Sequence, residues 1–166
     1  MKTEEQRFLK IVESHKGIVY RVANSYSQNE ADRDDLVQEI IFQLWRSRDR
    51  YSDRYAMSTW VYRIALNVSI STLRKSNRRK NSVQPMMQPI ECVASEGPSE
   101  DEDLKLLHAF IGQLKELDRA LILLYLDEKS HQEMSEILGL STSNVATRLS
   151  RVRNRLKKMF EQERKR

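Results

Sequence analysis

The sequence of 166 residues contains little that would end or bend a helix, with only four glycines and three prolines. Such a composition favours helices, because glycine and proline are the residues least compatible with a helix interior. The single cysteine, Cys92, excludes an internal disulfide and a metal site built from several cysteines. Since no internal disulfide is possible, we expect the protein to stay in the reducing cytoplasm. No run of about 18 apolar residues is present, so we expect no membrane insertion.

The sequence also offers little for catalysis. Its three histidines (His15, His108 and His131) lie far apart, and none is paired with an acid or a cysteine in a recognisable motif. A glycine-rich loop that could hold a phosphate group is missing as well. We therefore expect that the protein is not an enzyme and that it holds neither a cofactor nor a metal ion.

The charge, in contrast, is unevenly distributed along the chain. Residues 1–80 contain 16 Lys/Arg and 10 Asp/Glu, and residues 104–166 contain 13 and 8. Between them, residues 81–103 contain six acids and no basic residue, and all three prolines fall within residues 81–98. This pattern predicts two basic helical units joined by an acidic linker. Basic runs at helix ends favour phosphate-binding surfaces, although plain solvation accounts for most charge runs.

Apolar residues at helical spacing predict three helices in the first unit. The first covers residues 4–27 with an interruption near Gly17, the second is capped by Asn29, and the third runs from Ser58 to Lys80. The second helix has one continuous apolar stripe, formed by Leu36, Val37, Ile40, Ile41, Leu44 and Trp45. Its opposite face carries Asp35, Gln38 and Glu39, a polar patch that is either solvated or bound by a partner.

The second unit contains a predicted helix-turn-helix. A helix opens near Leu104, and Asp118 is expected to cap the next helix, which ends at Leu126. Ser130 to Glu133 form a capping box, in which the serine hydroxyl and the glutamate carboxylate each satisfy a free amide. Gly139 then ends this short helix and Ser141 begins another. Two helices joined by a short turn with a glycine are typical of DNA-binding helix-turn-helix units.

The start of the last helix carries the side chains that suit DNA. Short hydrogen-bonding residues come first and arginines follow: Thr142, Ser143, Asn144, Thr147, Arg148 and Arg151. Residues near the start of a recognition helix normally contact base edges in the major groove. The alternative is a helical hairpin that packs on another protein and ends in a solvated basic tail.

Both units resemble one family, the extracytoplasmic-function sigma factors, which form group IV of the sigma-70 family. The stretch Leu117–Leu156, with Leu-Gly-Leu-Ser before the last helix, resembles region 4. In the first unit, Asp34-Asp35-Leu36-Val37-Gln38-Glu39-Ile40 with Phe42 and Trp45 resembles region 2.2. Ser58-Thr59-Trp60-Val61-Tyr62-Arg63-Ile64-Ala65 with Asn67 and Arg74 resembles the regions that melt and read the −10 element. The resemblance covers about 145 residues in the family's order.

The resemblance implies an all-α protein with two small helical domains joined by a flexible linker. Residues 1–80 would form region 2, residues 81–103 the acidic linker, and residues 104–166 region 4. It also implies an alternative sigma factor, which binds core RNA polymerase and directs initiation at promoters with −10 and −35 elements. Region 2 would dock on the β′ clamp helices and region 4 on the β flap. An anti-sigma factor is a further partner that the resemblance implies.

Site residues follow from the same resemblance. Core polymerase would be bound by Asp35, Gln38, Glu39 and Phe42. The −10 element would be bound by Tyr51, Tyr55, Trp60, Arg63, Asn67, Arg74 and Lys75. The −35 element would be bound by His131, Gln132, Thr142, Ser143, Asn144, Thr147, Arg148 and Arg151. On their chemistry alone, the two loop tyrosines either stack on an unpaired base or cover a core edge, and Trp60 also serves the core.

Some positions depart from the family pattern. Ala146 stands where a basic residue often follows the valine of the recognition helix, and Asn144 stands where threonine is common. We therefore expect an unusual −35 preference. The main alternative function is a free-standing helix-turn-helix regulator, which accounts for residues 117–166 but leaves the polar patch and the helix of Trp60 without a purpose.

Overall fold

The computed structural model describes residues 2–83 and 102–166. Those residues form α-helices and one short 3₁₀ turn and contain no strand, which confirms the all-α prediction. The elements are α1 Lys2–Tyr26, α2 Glu30–Ser47, the 3₁₀ turn Arg48–Arg50, α3 Met57–Val83, α4 Glu102–Gly112, α5 Glu116–Leu126, α6 His131–Leu138 and α7 Thr142–Arg164. Cys92, the three prolines and most of the predicted linker lie outside the described residues. Within them, no helix is both long enough and apolar enough to cross a bilayer.

The first unit consists of α1, α2 and α3, which pack against one another in all three pairings. The predicted cap of α2 is confirmed, since the Asn29 side chain accepts a hydrogen bond from the Asp32 amide at 2.8 Å. The predicted interruption near Gly17 is wrong, because α1 continues through it. A helical glycine costs roughly 1 kcal/mol, and burial of the next turn, Ile18, Val19 and Val22, offsets that cost.

The apolar stripe of α2 faces the core as predicted. Leu36, Val37, Ile40 and Leu44 are at most 5% exposed. Trp45 packs edge-on against Phe8 of α1, with 5.0 Å between the ring centroids. These contacts fix the orientation of α2, so that the polar residues between the buried positions face away from the unit.

The second unit consists of α4 to α7, and one predicted cap in it is wrong. Lys115 occupies the N-cap position of α5 and forms no side-chain cap. Asp118, predicted as the cap, lies inside the first turn. A carboxylate there still favours the helix because it faces the positive end of the helix dipole. The domain boundaries at residues 80 and 104 stay predictions, with α3 ending at Val83 and α4 beginning at Glu102.

The helix-turn-helix is formed by α6 and α7, and its sequence signals are matched except for the predicted cap by the Glu133 carboxylate. Ser130 accepts a hydrogen bond from the Glu133 amide at 3.1 Å, while the Glu133 carboxylate lies 3.3 Å from the serine hydroxyl and not on a free amide. Gly139 ends α6 with φ of 69°, and Ser141 accepts from the Asn144 amide at 3.1 Å. The inward face of α7 is buried as predicted, at Val145, Leu149, Val152 and Leu156.

The turn is further held by Ser135, whose hydroxyl donates to the Leu140 carbonyl. This bond ties α6 to the residue just before the cap of α7. It therefore restrains the angle between the two helices, since both ends of the turn are now anchored.

Candidate nucleic-acid and polymerase interfaces

The outer face of α7 presents a pre-arranged set of polar side chains. Arg148 Nε donates to Asn144 Oδ1 at 3.0 Å, one helical turn earlier. Thr147 Oγ1 donates to the Ser143 carbonyl at 3.0 Å, which leaves its oxygen free to accept. Because Asn144 holds one edge of the guanidinium, the remaining N–H groups of Arg148 are restrained for contact outside the helix. This departure from the family's common threonine thus has a structural role.

A basic groove lies between α7 and the start of α5. It has a volume of about 450 Å³ and is lined by Lys115, Glu116, Leu117, Asp118, Arg148, Arg151, Val152 and Arg155. Sequence reasoning missed two of its cations as site residues. Arg155 follows Arg151 at helical spacing and could have been found, but Lys115 is distant in sequence and gave no signal. Four cations on one groove suit a phosphate group.

His131 and Gln132 occupy the first turn of α6 and are exposed. Gln132 Nε2 donates to Glu136 Oε1 at 3.2 Å, a contact within the same helix. Both predicted residues are therefore on the helix that precedes the turn, and not on α7 with the other predicted −35 contacts.

In the first unit, an aromatic cluster forms at the start of α3. Tyr51 packs edge-on against Trp60, with 5.6 Å between centroids, and its hydroxyl donates to the Tyr55 carbonyl at 3.0 Å. The Arg63 guanidinium lies 5.6 Å from the centroid of the Tyr55 ring. The structure thus brings together four of the predicted −10 residues. The half-buried Trp60 ring packs against Tyr51, so it also contributes to the edge of the core.

The other predicted −10 residues continue along α3. Arg63, Asn67 and Arg74 are separated by four and seven positions, so they lie along one side of the helix, and all three are exposed, as is Lys75. Arg74 Nε donates to Glu116 Oε1 at 2.9 Å, a contact with the other unit. This hydrogen bond lowers the pKa of Glu116 below its ordinary value.

The polar patch of α2 is exposed over its whole length, at Asp35, Gln38, Glu39 and Phe42. Phe42 is 51% exposed, an unusual state for a phenylalanine, and it lies on the same face as the two carboxylates. The Arg46 guanidinium lies 5.8 Å from the centroid of its ring. Glu39 accepts from Gln43 Nε2 at 2.9 Å. An exposed aromatic ring among charged groups is typical of a protein-binding surface.

This patch continues into an acidic groove between α2 and α3. The groove has a volume of about 520 Å³, with Asp32, Asp35 and Glu39 on one side and Thr72 and Ser76 on the other. Asp32, Thr72 and Ser76 were not predicted as site residues. Asp32 lies in the first turn of α2 and the two hydroxyls come from α3, so only the fold brings them together.

Comparisons with known proteins agree with this geometry. Residues 11–79 match the family model for sigma-70 region 2, and residues 104–156 match the model for sigma-70, region 4. The chain belongs to the sigma-70 family. The predicted family is thereby confirmed, and as a sigma factor of the extracytoplasmic-function type the protein acts in transcription initiation with RNA polymerase.

Relatives with similar lengths support the assignment. The chain is similar to the ECF RNA polymerase sigma factor SigW of Bacillus subtilis, with 28% identity across 96% of this chain and 91% of that protein. It is 26% identical to SigM of the same organism, across 90% of this chain and 93% of that one. Among solved structures, the sigma factor RpoE of Bartonella quintana, in complex with the anti-sigma factor NepR, has a TM-score of 0.76 at 22% identity. That fold similarity covers 97% of this chain and 98% of the other, so it extends over both units of this sigma factor.

Proposed function

We propose that this sigma factor docks on core RNA polymerase through the α2 patch and the acidic groove beside it. The observation that carries the proposal is the exposed Phe42 next to the Asp35 and Glu39 carboxylates, a surface that the fold itself does not use. The phenylalanine would be the apolar anchor. The carboxylates would attract basic side chains of the β′ clamp helices and set the register of the complex.

The −10 element is proposed to bind at the start of α3. Tyr51 and Tyr55 would stack on an unpaired base, because an aromatic ring binds any exposed base face. Arg63 and Asn67 lie next along the helix and would hold the separated strand, with Arg74 and Lys75 beyond them. The Trp60 ring supports the platform at 5.6 Å from Tyr51 and is assigned to positioning.

The −35 element is proposed to bind across α7. Thr142, Ser143 and Asn144 would contact bases near the start of the helix, with Thr147 one turn further along. Arg148, Arg151 and the basic groove would hold the phosphates on one flank of the major groove. His131 and Gln132 on α6 would contact the DNA backbone. The region 4 unit is also proposed to dock on the β flap.

An anti-sigma factor as a partner and a cytoplasmic location are proposed by similarity. The similar structure of RpoE is solved in complex with the anti-sigma factor NepR. We expect that an anti-sigma factor likewise binds this chain. Since a sigma factor acts with RNA polymerase, we assign it to the cytoplasm, and we assign it no catalytic reaction of its own.

The test is a pull-down of purified core RNA polymerase. The wild type is compared with an Asp35→Ala, Glu39→Ala, Phe42→Ala variant and with a control, Glu4→Ala, Glu5→Ala, Leu9→Ala. The control removes two exposed acids and an apolar residue, Leu9, that is 64% exposed on α1. We expect the patch variant to lose binding at least tenfold while the control keeps it. Equal binding by both, with unchanged helical circular dichroism, would move the interface elsewhere.

A further inference from the structure

The outer face of α7 carries two side chains whose hydrogen-bonding groups are already partly used within the helix. The Asn144 carbonyl oxygen accepts from Arg148 Nε at 3.0 Å. The Thr147 hydroxyl donates to the Ser143 carbonyl at 3.0 Å. Both bonds join residues four positions apart, so the helix makes them without DNA. Each bond removes one kind of group from contact with a base.

The bond to Arg148 leaves Asn144 with its donors. A free asparagine side chain offers an acceptor and two N–H donors, and it pairs with adenine by accepting from N6 while donating to N7. In α7 the Asn144 carbonyl is held on Arg148, so the two amide N–H groups remain for the major groove. Guanine presents two acceptors there, O6 and N7, whereas adenine presents one acceptor and an amino group. The remaining groups of Asn144 therefore complement guanine better than adenine.

The bond to the Ser143 carbonyl has the opposite effect on Thr147. A hydroxyl has one O–H group and two lone pairs. Since the O–H of Thr147 is used within the helix, its oxygen offers only lone pairs to DNA. The Thr147 side chain is exposed, so a base edge can approach it. In the major groove, the groups that can donate to this oxygen are cytosine N4 and adenine N6.

Arg148 links the base-reading side chains to the basic groove. Its guanidinium lines that groove together with Arg151 and Arg155, while its Nε is bonded to Asn144. Asn144 and Arg148 are both half-buried, so water competes less for this hydrogen bond than at an exposed position. A DNA phosphate held in the groove would therefore fix the Asn144 amide as well.

We propose that Asn144 and Thr147 set base specificity at the −35 element with fixed polarity, Asn144 as a donor that selects guanine and Thr147 as an acceptor that selects cytosine or adenine. Arg148 is a positioning residue for Asn144. The inference rests on the proposed function of α7 and deepens it. The two readers lie three positions apart, which is about 4.5 Å along the helix axis, and one base-pair step is about 3.4 Å. The two selected bases should therefore lie within about two base pairs of each other.

The test is the selection of −35 sequences by the holoenzyme. Core RNA polymerase with the full-length chain is incubated with promoter fragments whose −35 element is randomised, and the bound fragments are sequenced. Asn144→Asp keeps an acceptor for Arg148 but offers no donor. The preference at one position should then move from guanine to an amino-bearing base on the same strand, by about fivefold or more.

Thr147 is tested with a matched pair of variants. Thr147→Val keeps the shape of the side chain but removes its oxygen. The preference for an amino-bearing base at a second position should fall by about three- to tenfold, as expected for one hydrogen bond. Thr147→Ser restores the hydroxyl and should restore the preference. Equal preferences with valine and serine would remove Thr147 from base reading.

Arg148→Met tests the positioning role. It removes the partner of the Asn144 carbonyl, which becomes free to accept from adenine N6. The ratio of guanine to adenine at the Asn144 position should fall by about fivefold. Loss of a phosphate contact alone weakens binding to all sequences about equally, so it would leave this ratio unchanged. An unchanged ratio would therefore overturn the role of Arg148.

Asn154→Asp is the matched control, because it makes the same change on the same helix at an exposed position ten residues further along. Its added charge should weaken binding, but both base preferences should persist. Helical circular dichroism of each variant is compared with that of the wild type. A wild-type preference for adenine at the position that Asn144→Asp alters, or no altered position, would overturn the inference while the selected −35 element upheld the proposed function. Absence of any selected −35 element would refute both.

Discussion

Replacing Arg119 tests how much a buried charged residue stabilises the second unit, because the Arg119 side chain lies in the core. Its guanidinium is 1% exposed and donates to the Gly112 carbonyl at 2.8 Å and to the Leu114 carbonyl at 3.1 Å. Gly112 is the last residue of α4, and Leu114 lies in the connection between α4 and α5. The Arg119 side chain therefore joins the end of α4 to the start of α5. It also donates to the Ser25 carbonyl of the first unit.

The magnitude follows from the groups left without a partner. Arg119→Met keeps the length and apolar stem of the side chain but strands two buried carbonyls within the unit. Each unsatisfied buried acceptor costs about 1–3 kcal/mol, partly offset because a buried charge is also removed. We expect the free energy of unfolding of the second unit to fall by about 2–4 kcal/mol, with a further small loss from the Ser25 bond.

The two units can be followed separately in one urea titration. Both tryptophans, Trp45 and Trp60, lie in the first unit, so their fluorescence reports that unit. Far-ultraviolet circular dichroism reports both units. Arg119→Met should lower the dichroism midpoint for α4–α7 and change the fluorescence midpoint less. Arg155→Met, an exposed arginine of α7, should stay within about 0.5 kcal/mol of the wild type. Equal midpoints for the two variants would refute the reasoning.

Three further predictions concern the turn, the DNA face and the start of α5. Gly139→Ala should destabilise the second unit by about 1–2 kcal/mol in the same titration, because φ of 69° strains any L side chain although the added Cβ would meet nothing within 4 Å. Arg151→Gln should reduce the salt dependence of DNA binding by the holoenzyme by about one counterion, measured as the slope of log K against log salt; an unchanged slope would remove Arg151 from the phosphate contacts. The lowered pKa of Glu116 means that its contribution is present above its ordinary value of 4.5 and is lost as pH falls below that value. The free energy of unfolding measured in urea should therefore fall on acidification in the wild type, while the Glu116→Gln chain should show a smaller change over the same range.

Local signals predicted most helix ends because caps are local. Asn29, Ser130 and Ser141 accept the amide bonds expected of them, and Gly139 adopts the left-handed conformation that ends α6. The error at Asp118 shows the limit of this reasoning. A residue type that suits a cap also suits the first turn, which is where Asp118 lies.

Non-local contacts could not be predicted in this way. Arg74 and Glu116 are 42 positions apart, and Tyr62 and Asp127 are 65 apart, so no spacing relates them. The same holds for Lys115 in the basic groove and for Thr72 in the acidic groove. Each joins its site only because two helices pack, which periodicity in one helix does not determine.

Reconstituted transcription shows whether the protein directs RNA polymerase to promoters. Core RNA polymerase, genomic DNA of the source organism and the protein are combined, and the 5′ ends of the transcripts are mapped against a reaction without the protein. We expect protein-dependent start sites that are preceded by one shared pair of −10 and −35 sequences and that are lost with the Asp35→Ala, Glu39→Ala, Phe42→Ala variant. A folded protein that binds duplex DNA on its own but adds no start sites would contradict it, in favour of a free-standing regulator.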